Sequence, residues 1–319
     1  MEPTPATGPR LSTGAVVSLV LGVASPVLLF LTGVPALWVG LQSLRAINAS
    51  DGRLSGRRLA AAGMVLGGLG CAASVLGLLM IVFTTLHVRS QRLECLNNLR
   101  QIGQAVLKYQ DTYKAFPPGT VANAALPPDK RLSWLTTLPP YMEQKTPNAH
   151  AMQSLADQLD PSLAWDAGGN AAVAHTTAPL FRCPADPLHD PRTTPGLTDY
   201  VGFAGVGRDA AELKRGDPMA GVFGYDRTVA PTDLTAGTTR TLLASETTRD
   251  NGPWTAGGRP TVRGIDPDDA PYIGPGRAFG GLHPGGLNVL WADGSAGFME
   301  DTISPPLFES LTRVRRDGD

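Results

Sequence analysis

Residues 59–88 read LAAAGMVLGGLGCAASVLGLLMIVFTTLHV and contain no Asp, Glu, Lys or Arg. A helix needs roughly 20 apolar residues to cross about 30 Å of hydrocarbon, so this run is long enough to span a membrane. A helix buried in a soluble core would usually keep a polar face, which this run lacks. The sequence therefore predicts a transmembrane helix here.

A second uncharged run extends from Leu11 to Leu44. It is also long enough to span a membrane, and Pro26 and Pro35 predict a kink or an early end within it. The two runs together predict a two-helix transmembrane hairpin over residues 11–88, after a short N-terminal tail at 1–10. Small residues four positions apart in the second run favour close packing of helices in lipid.

The loop between the two runs, at about 45–58, contains four arginines and one aspartate. Cytoplasmic loops of membrane proteins carry an excess of Lys and Arg, so we expect this loop in the cytoplasm. Arg10 precedes the first run, and Arg89 and Arg92 follow the second. Two spans and a cytoplasmic loop would place the tail and everything after the hairpin outside the cytoplasmic membrane.

The rest of the chain has the pattern of a loop-rich α+β domain. Apolar residues at steps of three and four predict an amphipathic helix over 89–113, which can continue the second span without a break. Strands are predicted at 198–205, 240–246 and 288–299, the last with a two-residue hairpin at Asp293-Gly294. Since strands and helices do not alternate, a doubly wound sheet is not expected.

Long segments rich in Pro, Gly and Asp separate these elements. They lie at 117–131, 184–197 and 249–282 and are expected to be loops. The whole chain has 27 Lys and Arg against 28 Asp and Glu. That balance excludes a generally basic nucleic-acid binder.

Several motifs give the chain a resemblance to a known family. They are CLNNLRQIGQAVLKYQDTYKAFPPG (95–119), WLTTLPPYMEQ (134–144), FRCPADP (181–187), DYVGFAG (199–205) and FGGLHPGGLNVLWADGSAGF (279–298). In the last motif His283 is followed, after nine residues, by Asp293-Gly294. The set resembles the bacterial pilin-like family catalogued as domain of unknown function 1559. The stretches LVLG, VPALWVG and GRRLAAAGMVLGGLG resemble the two-helix membrane family 4190 of the same catalogue.

The resemblance implies a pilin-like extracytoplasmic domain at 89–303, followed by a C-terminal tail at 304–319. Its long N-terminal helix would pack on an antiparallel sheet with long loops. No biochemical activity follows from it. The processing site that members usually carry ahead of a single span has no counterpart in the sequence, so we expect the hairpin to be a permanent anchor.

The chain contains three cysteines, and one of them, Cys71, lies within the second apolar run. Outside the cytoplasm the other two, Cys95 and Cys183, can form a disulfide, since that compartment is oxidising. The alternative is two separate buried thiols. Their wide separation, without a local partner, does not favour a zinc site.

Three polar residues, Glu246, His283 and Asp293, are candidates for a functional site. Two carboxylates and an imidazole can hold a divalent cation or support acid–base chemistry. The alternative is structural, because Asp-Gly is common in turns and a histidine in a glycine-rich loop can satisfy a buried carbonyl. A second candidate cation site is the acidic loop with Asp266, Asp268 and Asp269, for which a solvated loop is the alternative.

Three functions remain open at this stage. The first is a non-enzymatic structural or protein-interaction role as an anchored pseudopilin-like component, with no cofactor. Its expected partners are the lipid bilayer and other pilin-like or secretion-system components or cell-envelope material. The second is a solute- or divalent-metal-binding module built around His283 and Asp293. The third is an envelope hydrolase, although no catalytic motif is recognisable.

Overall fold

The computed structural model describes residues 9–28, 30–143, 147–186 and 196–315. The chain divides into two compact units, Met1–His87 and Val88–Asp319.

The first apolar run forms two helices, α1 (Thr13–Leu28) and α2 (Phe30–Asn48). The expected single span over this run is therefore wrong. The Ser18 hydroxyl donates to the Ala36 carbonyl at 2.9 Å, and Gly14 lies against Ser43, so the two helices are antiparallel. Small residues at these contacts allow the close approach. As expected of Pro26, α1 ends soon after it.

Two short strands join the start of this unit to the arginine-rich loop. β1 (Arg10–Leu11) pairs in parallel with β2 (Leu54–Ser55), and the Arg10 amide donates to the Arg53 carbonyl at 3.0 Å. The N-terminal segment and the loop are therefore neighbours. The expected arrangement, with the tail and the loop on opposite sides of a membrane, is incompatible with this pairing.

Helix α3 (Arg57–Tyr113) has 57 residues and includes the second apolar run. It is the one helix within the described residues that is long and apolar enough to cross a membrane. It ends before Phe116, as the two prolines that follow predict. Inside the first unit α3 contacts α1 and α2 through glycines, with Gly63 against Ser18 and Gly67 against Ala36.

The second unit contains a five-stranded sheet. The strands are β3 (Tyr200–Val206), β4 (Leu242–Glu246), β5 (Val262–Ile265), β6 (Gly286–Trp291) and β7 (Ala296–Glu300), in the spatial order β5-β3-β4-β6-β7. All neighbours are antiparallel except β5, which runs parallel to β3. The sheet is thus mixed, where an antiparallel sheet was expected. The strand β5 lies inside the predicted loop 249–282. It was missed because its four residues, which include a glycine, show little of the sequence pattern of a strand.

The C-terminal half of α3 packs on this unit through one face. Leu99, Ile102 and Val106 on that face are completely buried. Gly103 contacts the Gly294 carbonyl and the Leu290 side chain, at the end of β6 and the turn that follows it. The helix therefore reaches the sheet at the C-terminal end of the motif that runs from His283 to Gly294.

The described part of the second unit also contains three short α-helices, α4 (Pro147–Ala156), α5 (Gly168–Ala174) and α6 (Pro305–Thr312). The expected C-terminal tail at 304–319 is wrong, because α6 inserts Phe308 into an aromatic cluster. The Phe308 ring lies 5.6 Å from that of Phe203 and 5.8 Å from that of Phe279, and it is completely buried.

Candidate functional site

Two of the three candidate residues meet in the interior of the second unit. The His283 Nε2 atom lies 3.2 Å from the Glu246 Oε1 atom, and both side chains are almost fully buried. Glu246 is the last residue of β4, and His283 precedes β6 in the glycine-rich loop. The neighbouring strands β4 and β6 bring them together.

Asn288, on β6, fixes the carboxylate. Its backbone amide donates to Glu246 Oε2 at 2.8 Å, and its side-chain amide donates to Oε1 at 2.8 Å. The same side-chain amide reaches the Arg92 carbonyl of α3 at 3.4 Å. A buried carboxylate with two such donors is held in one orientation.

Asp293 does not join this pair. It lies beyond the far end of β6, five residues from Asn288, which is about 16 Å along a strand. Its carboxylate accepts hydrogen bonds from the Ser295 amide and hydroxyl. The structure thus separates the two ends of the motif and gives Asp293 a turn contact.

The Asp293-Gly294 turn differs from the two-residue hairpin that was expected. The Trp291 amide donates to the Ser295 carbonyl and the Gly294 amide to the Trp291 carbonyl, so the loop has three residues. Gly294 has φ +80°, as the last position of such a loop requires. A side chain at Gly294 would collide with Leu107 on α3, so the turn is also a packing surface for the helix.

The expected disulfide between Cys95 and Cys183 is present, and it lies beside His283 and Glu246. The Cys183 Sγ atom is 3.5 Å from His283 Nε2 and 4.0 Å from Glu246 Oε1. One ligand atom from each of the four residues lies within 4.8 Å of the others. We call these four residues, Cys95, Cys183, Glu246 and His283, the buried cluster.

The sequence contains each member of the buried cluster, but it offers no sign that the cysteines join the other two. Cys95 belongs to α3, and Cys183 lies in the FRCPADP motif just after a 3₁₀ turn at Pro179–Phe181. They approach the sheet from outside it, so strand register cannot predict the contact. The only available signal was that both cysteines and His283 lie in motifs of one family resemblance.

A layer of polar contacts surrounds the buried cluster. The Cys183 amide donates to Asp199 Oδ2 at 2.6 Å, and the Arg182 Nε atom lies 3.4 Å from the same oxygen. Burial raises the pKa of Asp199 to about 7, although the Arg182 guanidinium acts in the opposite direction. The Tyr200 hydroxyl donates to the Cys95 carbonyl at 3.3 Å, and burial raises the pKa of this phenol well above its usual value.

The arrangement does not favour catalysis. In a nucleophile–histidine–carboxylate triad the two ring nitrogens face different partners. Here the His283 Nε2 atom faces both the Cys183 sulfur and the Glu246 carboxylate. The sulfur is in a disulfide, and all four members of the buried cluster are shielded from solvent. A substrate would have no described route to them.

The acidic loop of the second candidate cation site is neutralised by arginines. Arg208 pairs with Asp266 at 2.5 Å and Arg249 pairs with Asp269 at 2.6 Å. The other oxygen of Asp266 accepts from the Asp268 amide. These carboxylates therefore have the contacts of a structural loop.

A surface cleft of about 740 Å³ shares none of its described lining residues with the buried cluster. Its lining includes Glu212, Lys214, Arg215, Tyr225 and Asp226. Charges of both signs alternate around it, so the cleft has no single electrostatic preference. No sequence pattern had indicated it.

Two family models match the chain. The one described as protein of unknown function (DUF1559) matches residues 88–268, and the one described as domain of unknown function (DUF4190) matches residues 14–86. The two matches follow each other in the order that the motifs indicated. No curated protein and no solved structure matches the chain.

Proposed function

The chain belongs to the family described as protein of unknown function (DUF1559), and from this premise we propose that it is a membrane-anchored, extracytoplasmic pilin-like module. Its role in this proposal is structural: residues 13–88 hold the second unit at the membrane, where it binds other proteins. The DUF4190 match over residues 14–86 covers the proposed anchor.

The burial pattern of the first unit carries the proposal, because small residues are buried and large apolar side chains are exposed. Its buried positions hold small and hydroxyl residues such as Ala15, Ser18 and Ala36, each completely buried. Its large apolar side chains point outward, and Leu31 and Trp38 are 81% and 63% exposed. Water would oppose such an arrangement, whereas lipid favours it, because lipid-facing surfaces are apolar and close helix contacts use small residues.

The hydroxyl groups of this unit fit the same environment. Ser25 donates to the Leu66 carbonyl of α3 at 2.9 Å, and Ser18 donates to the Ala36 carbonyl of α2. Each links two helices, although the buried Thr32 hydroxyl of the same unit has no hydrogen-bond partner among the described residues. In hydrocarbon such groups must find partners within the protein.

The pairing of β1 with β2 changes the proposed topology from two spans to three. Arg10 joins Arg45, Arg53, Arg57 and Arg58 in one arginine-rich region, because β1 lies beside the loop. α1 and α2 have 16 and 19 residues, or about 24 and 28 Å, so both are shorter than the hydrocarbon core of about 30 Å. Local thinning of the bilayer accommodates such a mismatch. With the arginines in the cytoplasm, α1 leads out, α2 leads back and α3 leads out again.

The structural role of the second unit rests on its buried cluster. Four elements meet there, and the disulfide and the Asn288 contacts connect α3 to the sheet. The arrangement makes a clamp that holds the helix in place. The third function, an envelope hydrolase, receives no support from this geometry.

Cysteine labelling of the full chain tests the topology. Ser50, in the arginine-rich loop, and Ser310, in α6, are each replaced by cysteine in a Cys71→Ser background. A membrane-impermeant maleimide is then applied to spheroplasts. We expect labelling of Ser310→Cys from outside, and of Ser50→Cys only after the membrane is permeabilised.

A third site, Leu11→Cys at an exposed position of β1, distinguishes three spans from two. Three spans predict that it behaves like Ser50→Cys, and two spans predict that it behaves like Ser310→Cys. Labelling of all three sites in intact spheroplasts, or release of the protein by alkaline carbonate, would contradict the membrane anchor.

A further inference from the structure

The buried cluster has a donor set that is unusual for a purely structural clamp. Two cysteine sulfurs, an imidazole nitrogen and a carboxylate oxygen point at one another from four different segments of the chain. Sulfur, nitrogen and oxygen donors of this kind are the ligands of zinc in proteins, and four of them complete a closed structural site.

The distances within the cluster match a tetrahedral zinc site. Zinc bond lengths of about 2.0–2.3 Å imply edges of about 3.4 Å between nitrogen and oxygen, and about 3.6 Å between sulfur and either of them. The observed separations are 3.2 Å for His283 to Glu246, 3.5 Å for Cys183 to His283 and 4.0 Å for Cys183 to Glu246. Three ligands thus already form one face of the tetrahedron.

The fourth ligand requires reduction of the disulfide. In a zinc site the two sulfurs would be about 3.8 Å apart, which the disulfide between Cys95 and Cys183 does not permit. The disulfide and the metal therefore compete for the same two sulfur atoms. We propose that the buried cluster binds one Zn²⁺ through Cys95, Cys183, Glu246 and His283 when the two cysteines are reduced, and releases it when they form the disulfide.

The contacts around the cluster prepare the ligands for this role. Asn288 donates to both carboxylate oxygens of Glu246, and Asp199 accepts the amide hydrogen of Cys183. Partners of this kind orient the ligands of a metal site and raise its affinity. The cluster is fully buried, as structural zinc sites are, so the metal would enter during folding or after reduction opens the site.

Two electrons and two protons interconvert the disulfide and the dithiol form of the cluster. An external dithiol transfers two electrons and two protons to the disulfide and becomes a disulfide itself, which leaves two thiols in the protein. Zn²⁺ then displaces both thiol protons into solvent, because the thiolate is the ligand. Transfer of the two electrons to a disulfide oxidant re-forms the Cys95–Cys183 bond and releases the metal. The proposal does not depend on the membrane anchor.

Zinc stoichiometry of the full-length protein in detergent tests the proposal. The protein carries Cys71→Ser, so that only two thiols remain. It is stripped with a chelator and then either kept oxidised or reduced with a phosphine, before Zn²⁺ is added. We expect the reduced form to retain one zinc per chain after desalting and the oxidised form to retain none. Co²⁺ in place of Zn²⁺ should give the charge-transfer absorption of a thiolate complex in the reduced form only.

Variants identify the ligands. His283→Ala should weaken zinc binding by at least about tenfold, as expected when a ligand is lost. Asp293→Asn is the matched control, because it alters the other end of the same motif without touching the cluster, and it should bind zinc like the parent protein. If His283→Ala fails to fold by circular dichroism, Glu246→Gln takes its place.

Three results would overturn the proposal. The first is a folded, reduced protein that retains no zinc. The second is a cobalt complex without thiolate charge transfer. The third is equal loss of zinc in Asp293→Asn and in the cluster variant.

Discussion

At Gly103 the long helix comes closest to the β6–β7 turn. A Cβ atom there would lie 2.6 Å from the Gly294 carbonyl oxygen and 2.7 Å from the Leu290 side chain. The carbonyl belongs to the backbone of a turn that is itself fixed against Leu107, so it has little freedom to move. The glycine is therefore a requirement of packing.

We predict that Gly103→Ala lowers the free energy of unfolding by about 1–3 kcal/mol, the usual cost of overpacking. Alanine is the better helix former, so propensity alone predicts the opposite sign. Urea unfolding of the full chain in detergent, followed by near-ultraviolet circular dichroism, measures the effect. Gln104→Ala, at the exposed neighbouring position, is the control. A Gly103→Ala protein as stable as this control would contradict the packing argument.

Asp199 gives the oxidised protein a pH-dependent stability. Burial raises its pKa to about 7, whereas in the unfolded chain an aspartate titrates near its ordinary value of about 3.9. Between these two values the folded state binds more protons than the unfolded state, so the free energy of unfolding falls as the pH rises. The contribution is complete below about pH 4 and is lost as the pH passes about 7.

We therefore predict a loss of stability between pH 4 and pH 7 that Asp199→Asn reduces. The upper bound is about 4 kcal/mol, from a shift of about three units at 1.36 kcal/mol each. Thermal unfolding at several pH values measures it. Identical pH profiles for the parent protein and Asp199→Asn would show that another group is responsible.

At the level of single residues, the sequence identifies the chemically important side chains better than it predicts which of them are in contact. Cys95 and Cys183 could be paired because the chain offers few thiols, and Glu246 and His283 could be chosen for their chemistry. Their convergence depends on how α3 and the loop at Cys183 approach the sheet. Asp293 was placed with them wrongly, because sequence distance does not reveal that β6 separates the two ends of the motif.

Among the elements, the last helix shows most clearly how tertiary packing decides a structure. α6 has only eight residues, yet its Phe308 is completely buried. It covers the face of the sheet opposite α3, where Val201, Phe203 and Phe279 form a second apolar cluster. This cluster is expected to need the helix for its stability.

We predict that Phe308→Ala destabilises the second unit by about 3–5 kcal/mol, the usual cost of removing a buried aromatic ring. The adjacent Leu307 is 51% exposed, so Leu307→Ala should cost far less. Chemical unfolding of both variants, side by side, measures the difference. Equal losses would mean that α6 contributes through its presence alone and that the Phe308 ring is unimportant.

The elements with a strong local pattern were predicted well. The long helix, β3, β4 and the pair β6 and β7 have clear apolar periodicity or a turn signal. The strand β5 and the helix α6 were missed, because each is short and depends on neighbours distant in sequence. The sequence also does not indicate that β5 runs parallel to β3.

For the molecule as a whole, the two units follow opposite rules of burial. The second unit buries large side chains such as Trp134 and Trp254. The first exposes large apolar side chains and buries glycine, alanine and serine. Composition predicted this division. The fold of the first apolar run was predicted wrongly, because a run of 34 uncharged residues is compatible both with one tilted transmembrane helix and with two antiparallel helices.

We predict that Gly63→Leu disrupts the first unit. A Cβ atom at Gly63 would lie 2.4 Å from the backbone of Ser18, which cannot give way without separating α1 from α3. A cost above about 2 kcal/mol is expected. Loss of helical circular dichroism on heating in detergent measures it. Val65→Leu, on the exposed face of the same helix, is the matched control, and equal melting of the two variants would contradict the helix contact.

The position of α6 has a consequence for biosynthesis. The aromatic side chains of Phe203 and Phe279 are made before Phe308, which completes their cluster. Until that residue has been synthesised, this face of the sheet remains uncovered. The second unit therefore cannot finish folding until α6 has left the ribosome, and until then the growing chain presents an apolar surface at this face of the sheet.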